Sequence, residues 1–181
     1  MPNIRPFAGT RPTLGQRCWV DPGAHLIGDV VLADDVSLWP GTVVRGDVNA
    51  IRIGARTNIQ DGAVVHVTHD GPHGPPGGVP TLIGSDVTIG HGAIVHACTI
   101  GDACLIGMGA IVLDGAVIER ESFVGAGALI APGKVVRQGE LWVGNPARCV
   151  RRLSADEIAR LYYSAEHYLR LKDRYLSGAV G

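Results

Sequence analysis

Residues 100–136, IGDACLIGMGAIVLDGAVIERESFVGAGALIAPGKVV, contain the strongest indication of the fold, an aliphatic residue at every sixth position. The residues at this spacing are Ile100, Ile106, Val112, Ile118, Val124, Ile130 and Val136. The fourth residue after each is small or slim as far as Ala128, and Lys134 departs from the pattern. A period of six does not match the 3.6-residue turn of a helix, but it fits a short strand followed by a tight turn.

Weaker copies of the repeat occur earlier in the chain, in what reads as the same phase. They are marked by Ile27, Ala33, Trp39, Ile53, Ile59, Val65, Ile83 and Ile89. One hexad cannot bury its own apolar side, whereas stacked hexads share a continuous core. Three hexads per coil make a triangular prism with coils about 4.8 Å apart. We therefore predict a mainly β protein, a parallel β-helix; a β-sandwich would require the repeats to be coincidental.

The extent of the repeat divides the chain into four segments. We predict an N-terminal segment at 1–19, a β-helix at 20–138 with a loop insertion at 67–81, a connecting loop at 139–153 and a C-terminal α-helix at 154–177. Ser154 and Glu157 form a capping box at the helix start. Ile158, Leu161, Ala165 and further apolar residues lie near one face of this helix, so it packs against a prism flank or a neighbouring subunit.

Composition excludes several classes of partner. Sixteen basic and seventeen acidic residues leave a net charge of −1, which predicts no nucleic-acid partner. Since the chain has no run of eighteen apolar residues, we expect no membrane span. The N-terminus lacks the pattern of a secretory signal, and the four cysteines have no C-x-x-C spacing. We therefore expect a cytoplasmic protein with reduced thiols.

Five of the seven histidines lie between His66 and His96, around a Gly/Pro-rich insert. If this insert adds twelve residues, one coil of eighteen separates His66 from His96, and the two side chains stack on one face. His91 lies on an adjacent face and would reach them only from the next subunit of a threefold-symmetric trimer. Three neutral imidazoles make an open zinc site, although a lone strand histidine is more often structural. His69 and His73 lie in the insert and read as rim residues.

Two polar clusters precede these histidines, Arg45 with Asp47 and Asn58 with Gln60 and Asp61. Charged and amide side chains are unusual on solenoid faces that are otherwise aliphatic or simply solvated. Arg45 and Asp47 could instead form a structural ion pair at a subunit contact. Gln60 has the hexad position of His66 but lies one hexad earlier, so it too would approach a metal only across an interface.

Together these residues resemble the γ-class carbonic anhydrases of the hexapeptide-repeat family, in their bacterial branch. The most characteristic run is WPGTVVRGDVNAIRIGARTNIQDGAVVHVTH, residues 39–69. The resemblance implies a left-handed coil, against the usual crossover preference, and a homotrimer. It implies zinc, with iron(II) or cobalt(II) as alternatives, held by His66, His91 and His96. Catalytic roles are implied for the polar clusters named above.

The activity implied by the resemblance is attack of a metal-bound hydroxide on CO₂ to give bicarbonate. In this scheme Arg45 and Asp47 pair between subunits, while Gln60 and Asp61 position the hydroxide or bicarbonate. The archetypal member has a glutamate after the Arg-Gly-Asp triplet and another in an acidic loop, both assisting proton transfer. Here the first position is Val48, and Asp70 is the only acid in the insert. His69, His73, Tyr163 or Tyr168 would have to substitute.

Three other functions remain open from the sequence. A hexapeptide acyltransferase would use an acyl-CoA donor and one histidine as general base, but it needs neither three histidines nor the polar clusters. A metal-dependent acyl-CoA thioesterase would use the same metal site for hydrolysis. A non-catalytic scaffold would retain the metal without turnover.

Overall fold

The computed structural model describes residues 3–178, so the first two residues of the predicted N-terminal segment lie outside it. In chain order the elements are β1 (Asn3–Arg5), β2 (Thr13–Leu14), β3 (Trp19–Val20), β4 (His25–Leu32), β5 (Ser37–Leu38), β6 (Val43–Ile53), β7 (Asn58–Ile59), β8 (Val64–His66), β9 (Thr81–Ile83), β10 (Thr88–Ile89), β11 (Ile94–His96), β12 (Thr99–Ile100), β13 (Leu105–Ile106), β14 (Ile111–Val112), β15 (Val117–Ile118), β16 (Phe123–Val124), β17 (Leu129–Ile130), β18 (Val135–Val136), β19 (Glu140–Val143), β20 (Arg148–Arg152) and α1 (Ala155–Leu176).

From β7 to β19, strands three apart along the chain pair in parallel, which confirms a parallel β-solenoid with three faces. Face A contains β8, β11, β14 and β17, face B contains β9, β12, β15 and β18, and face C contains β3, β5, β7, β10, β13, β16 and β19. The long strand β6 turns a corner, because its start pairs with β8 on face A and its end with β9 on face B.

The hexad aliphatics point inward and form one continuous core. Every one of them from Ile100 to Val136 is at most 1% exposed, and the intervening small residues such as Ala110 and Ala116 are also buried. Fully burying a side chain of this size stabilises the fold by about 1.5–3 kcal/mol. Small residues are required between the large ones because three strands converge within a narrow prism.

Strand register corrects the predicted phase at two places. In the first coils the inward positions are Leu26, Leu32 and Leu38, each one residue before the predicted Ile27, Ala33 and Trp39.

The second correction lies at the end of the insert-bearing coil. Ile53 pairs with Ile83, thirty residues later, so the insert adds twelve residues to an eighteen-residue coil as predicted. Ile83, however, pairs with Ile100 only seventeen residues later. The step from Val95 to Ile100 is therefore five residues, and the two runs of hexads are not in one phase. The shorter corner contains Ala97 at a left-handed φ of 48°, and regular corners also contain such residues, for example Ala103 with a φ of 54°.

The structure also differs from the predicted segments at both ends of the prism. Strands β1 to β3 already pair in parallel with later strands, so pairing begins before residue 20. Residues 139–153, predicted as a loop, contain β19 and β20, which form an antiparallel pair. Leu141 and Trp142 pair in parallel with β16, because their apolar side chains continue the pattern by one more strand.

Helix α1 packs on face C of its own chain, against β3, β5, β7 and β10. Its capping box is present, with Glu157 N donating to the Ser154 hydroxyl at 3.2 Å. Tyr168 and Tyr175 meet the ring of Trp39 edge-on at centroid distances of 5.5 and 5.2 Å. Buried Lys172 donates to Asp35 at 2.7 Å, which ties the helix end to the prism. Within residues 3–178, no helix has the length and apolar character needed to cross a membrane.

Candidate metal centre

His66 and His96 stack on face A, as the register predicts. Strands β8 and β11 place the two residues directly opposite each other. Their ring centroids are 5.2 Å apart, and Nδ1 of His66 lies 3.2 Å from Nε2 of His96. The two side chains are 19% and 30% exposed, so they are accessible from outside the prism.

The outward nitrogens of both rings donate to carboxylates. Nε2 of His66 lies 3.0 Å from Asp47 Oδ1, and Nδ1 of His96 lies 2.7 Å from Asp114 Oδ1. Burial opposes the charged form of Asp47, but hydrogen bonds from His66 and Arg45 outweigh it and lower its pKa. The pKa of Asp114 is likewise lowered, because hydrogen bonds from Thr68 and His96 outweigh burial. Both carboxylates are therefore ionised at neutral pH and can only accept hydrogen bonds.

The inner nitrogens fit a metal ion. When both imidazoles are neutral and donate through their outer nitrogens, their inner lone pairs face each other, an arrangement that a metal ion between the rings would stabilise. Two nitrogen ligands at zinc's usual bond length and tetrahedral angle would be about 3.3 Å apart, close to the 3.2 Å observed. Carboxylate partners on the outer nitrogens are the usual support for metal-binding histidines. His66 and His96 could therefore supply two of the three imidazoles of the predicted site.

His91 lies elsewhere in the chain, beyond the end of β10 on face C. Its Nδ1 is 2.9 Å from Asp61 Oδ2, and both side chains are about half exposed, at 46% and 48%. Among residues 3–178, no three His, Cys, Asp or Glu side chains of this single chain converge on one point. Within one chain His91 is therefore not brought to the paired histidines, although its Nδ1 has a carboxylate partner as their outer nitrogens do.

The amides of Asn58 and Gln60 form a buried chain beside His91. Asn58 donates through Nδ2 to the Val87 carbonyl and to Thr88 Oγ1, so its Oδ1 is left to accept from Gln60 Nε2 at 3.1 Å. Gln60 lines a cavity of about 260 Å³, so its Oε1 is the amide atom available to a bound molecule. Thr88 Oγ1 is also 3.1 Å from the Ser164 hydroxyl of α1, so the helix takes part in this network.

Arg45 pairs with Asp47 within one chain, where the resemblance implies a pair between subunits. The two residues are two positions apart on β6, so their side chains project from the same side of the strand and meet directly. Asp47 thus accepts from both Arg45 and His66 and joins the first polar cluster to the paired histidines.

The side chains predicted to replace the two proton-transfer glutamates differ in their environments. His69 and His73 line a cavity of about 160 Å³ in the insertion, and Val48 is exposed near the site. Tyr163 is exposed on α1. Tyr168 is packed against Trp39, and burial raises its pKa, so it is poorly suited to proton transfer near neutral pH.

Sequence reasoning missed Asp114, Thr68, Thr88 and Ser164. Asp114 is eighteen residues after His96, but Val95 pairs with Val112, so this coil has seventeen residues and Asp114 lies one position beyond the residue that stacks on His96. It sits in a turn, where aspartate is common for local reasons, so it does not stand out. Thr68 and Ser164 meet their partners only through tertiary contacts.

Comparisons with known proteins place the chain in a family. The family described as bacterial transferase hexapeptide (six repeats) matches residues 11–46 and 97–132. Protein YrdA of Escherichia coli K12 is 49% identical over 173 residues, covering 96% of this chain and 94% of that protein. The mitochondrial gamma carbonic anhydrase 2 of Arabidopsis thaliana is 43% identical over 166 residues, or 92% of this chain and 59% of the plant protein.

A solved structure agrees with these relatives. The hexapeptide transferase family protein of Anaplasma phagocytophilum superposes with a TM-score of 0.88 at 44% identity, covering 96% of this chain and 98% of that one. Identity at this level over nearly full length reflects common descent as well as a shared fold. The chain therefore belongs to the hexapeptide-repeat family, in the branch that includes YrdA and the γ-class carbonic anhydrases.

Proposed function

We propose that the protein is a carbonic anhydrase that hydrates CO₂ to bicarbonate at metal sites between the subunits of a homotrimer. The observation that carries the proposal is the facing pair of imidazole nitrogens of His66 and His96, 3.2 Å apart, with both outer nitrogens held by carboxylates. Zinc fits this ligand set, and iron(II) or cobalt(II) are alternatives. All four cysteines are free thiols, which supports a reducing compartment such as the cytoplasm.

In the proposed trimer His91 of one subunit completes the site formed by His66 and His96 of the next. Its exposure supports this arrangement, because Asp61 engages Nδ1 of the half-exposed ring and leaves Nε2 for a metal ion. Cyclic symmetry repeats the contact at every interface, so three equivalent sites form together.

When bound, the metal would make water a nucleophile at neutral pH and leave an open position for the substrate. The chain's own residues supply orientation. Asp47 and Asp114 hold the protons on the outer nitrogens of the paired histidines, and Asp61 does so for His91. Gln60 is held by Asn58 with its Oε1 available, so from the subunit that supplies His91 it would accept a hydrogen bond from the attacking water and orient that water's lone pair toward the carbon of CO₂. Arg45 offers a guanidinium for the product anion.

Metal analysis followed by stopped-flow CO₂ hydration tests this function. We expect one metal per subunit and turnover in zinc- or iron-loaded protein, both lost in His66→Ala. The exposed helix residue His167→Ala is the matched control and should keep both. Metal binding without hydration in either loaded form would favour a scaffold, and absence of metal would remove the proposal.

Subunit mixing tests the shared site separately. Neither His91→Ala nor His66→Ala trimers should be active, but each variant retains the ligands that the other lacks. Random mixing at equal amounts should regenerate about a quarter of the wild-type sites. Complete absence of recovered activity, with mixed trimers verified by mass spectrometry, would exclude a site shared between subunits.

The residues available for proton release are those in which this chain differs most from the archetypal γ-class carbonic anhydrase. Val48 is exposed where a glutamate would assist transfer, so we expect turnover to depend on buffer concentration. Val48→Glu should raise the rate in dilute buffer by roughly tenfold or more and change little in concentrated buffer. An unchanged rate in dilute buffer would show that proton transfer through this position does not limit turnover.

Acyl-CoA chemistry is the second candidate, and the cavity beside Gln60 is the observation that favours it. Leu105, Met108 and Phe123 give this cavity an apolar lining, which would suit an acyl chain better than CO₂. The solved relative described as a hexapeptide transferase points the same way. Release of free CoA from acyl-CoA, with and without an acceptor amine or alcohol, distinguishes thioesterase from transferase activity.

A further inference from the structure

Asp114 has two partners that connect distant parts of the chain. One carboxylate oxygen accepts from Nδ1 of His96 at 2.7 Å, and the other accepts from the Thr68 hydroxyl. Thr68 belongs to the base of the insertion, where its backbone bonds to Val79 in both directions. The side chain of Asn49 also donates to the Thr68 carbonyl at 3.1 Å. Asp114 is therefore held between the hydrogen-bonded base of the insertion and the ring of His96.

We propose that Asp114 is a positioning residue that selects the tautomer of His96, with Thr68 holding the carboxylate in place. The proposal rests on the proposed function in so far as His96 binds a metal. A carboxylate can only accept, so Nδ1 of His96 must carry the proton and Nε2 must carry the lone pair. Nε2 is the nitrogen that faces His66. Asp114 thereby keeps the inward nitrogen of His96 free of a proton before any ion arrives.

Asp114 differs from Asp47, the carboxylate beside His66, in how it is held. Asp47 accepts from Arg45, a neighbour on its own strand, whereas Asp114 accepts from a residue forty-six positions earlier. The orientation of the His96 ring therefore depends on the hydrogen bonds that hold Thr68 at the base of the insertion. The orientation of the His66 ring does not. The insertion serves as more than a rim, because its first residues fix one of the two paired imidazoles.

Asp114→Asn is the decisive substitution. It preserves size but introduces an amide that can turn its NH₂ toward Nδ1 of His96, which favours the tautomer protonated at Nε2. The matched control is Asp86→Asn, which removes a carboxylate from an exposed ion pair with Arg56 elsewhere on the prism. Thermal unfolding of both variants verifies that they fold.

Nitrogen-15 NMR of the imidazoles in metal-free protein reads the tautomer directly. We expect His96 protonated at Nδ1 in the wild type and in Asp86→Asn, and a shift toward the Nε2-protonated form in Asp114→Asn. Zinc affinity, measured by competition with a chromophoric chelator, should fall roughly 10- to 100-fold in Asp114→Asn alone. A wild-type His96 protonated at Nε2, or an Asp114→Asn variant with unchanged tautomer and affinity, would overturn the proposal.

Substitutions at Thr68 give a second, milder test that does not alter the carboxylate. Thr68→Val should weaken zinc binding several-fold, while Thr68→Ser, which keeps the hydroxyl, should restore it. Equal affinities in Thr68→Val and wild type would overturn the role given to Thr68. If wild-type protein binds no metal at all, the proposed function fails, whereas the tautomer measurement in metal-free protein still decides the role of Asp114.

Discussion

The coils of residues 43–96 and those of residues 100–136 share one core but present different side chains on face A. The residue just after the buried aliphatic is Arg45, His66 or His96 in the first region, and Leu113 or Ala131 in the second. The aliphatics beneath them, Val44, Val65, Val95, Val112 and Ile130, are all fully buried. The outward positions of the hexad can thus differ between coils, so polar side chains can be placed there without any change in the packing of the core.

The largest effect expected from this comparison is on turnover. His96→Ala should abolish metal binding and lower CO₂ hydration by more than about a thousandfold. Leu113→Ala, the equivalent position one coil later, should leave metal content intact. Measurement of metal content and stopped-flow rates on both variants checks the difference. Equal losses in the two variants would mean that this column of face A acts through stability and not through ligation.

Thiol reactivity tests whether the coil with the five-residue step before Ile100 opens to solvent more readily than the regular coils. Cys98 lies in the five-residue step and Cys104 in the regular run, and burial raises the pKa of both to about 12. At pH 8 an aromatic disulfide reagent should label exposed Cys149 at least about a hundredfold faster than either. Rapid labelling of Cys98 but not Cys104 would show that the tight corner opens, contrary to this expectation.

Core substitutions should lower folding stability without directly affecting the candidate metal site. Ile118 is fully buried on β15, and its neighbour Val117 faces outward. Ile118→Ala should lower the free energy of unfolding by about 2–5 kcal/mol, and Val117→Ala by much less. Urea unfolding at fixed protein concentration measures both. Similar values for the two variants would argue against an inward-outward alternation in the regular coils.

The smallest effect concerns the start of α1, outside both regions. A hydrogen bond from Arg151 and the capping contact with Ser154 lower the pKa of Glu157 to about 2. Because the pKa is depressed, the stabilisation is complete above about pH 4.3 and is lost as the pH falls toward 2. Glu157→Gln should lower Tm at pH 7 by no more than about 2 °C, since the pair is exposed. The difference should vanish near pH 2; a constant difference across pH would contradict a charge effect.

Sequence reasoning predicted what depends on periodicity. The regular spacing from Ile100 to Val136 was enough for the coil, and the insert length was enough to stack His66 on His96. The five-residue step before Ile100 was missed because Val95 and Ile100 each fit a regular run of hexads, and only the strand pairing shows that the two runs are out of phase. The contacts of Asp114 with Thr68 and of Thr88 with Ser164 join residues far apart in sequence, which no local pattern indicates.

The hydrogen bonds at the base of the insertion affect which changes in loop sequence and length this protein can accept. Thr68 and Val79 are bonded to each other, and Asn49 Nδ2 also donates to the Gly77 carbonyl, so both ends of the loop are fixed regardless of its contents. Doubling the length of a flexible loop between fixed ends raises its closure free energy by only about 0.6 kcal/mol. Insertions between Asp70 and Pro76 should therefore be tolerated, giving a place where the rim of the site can diversify while the stacked coils keep their register.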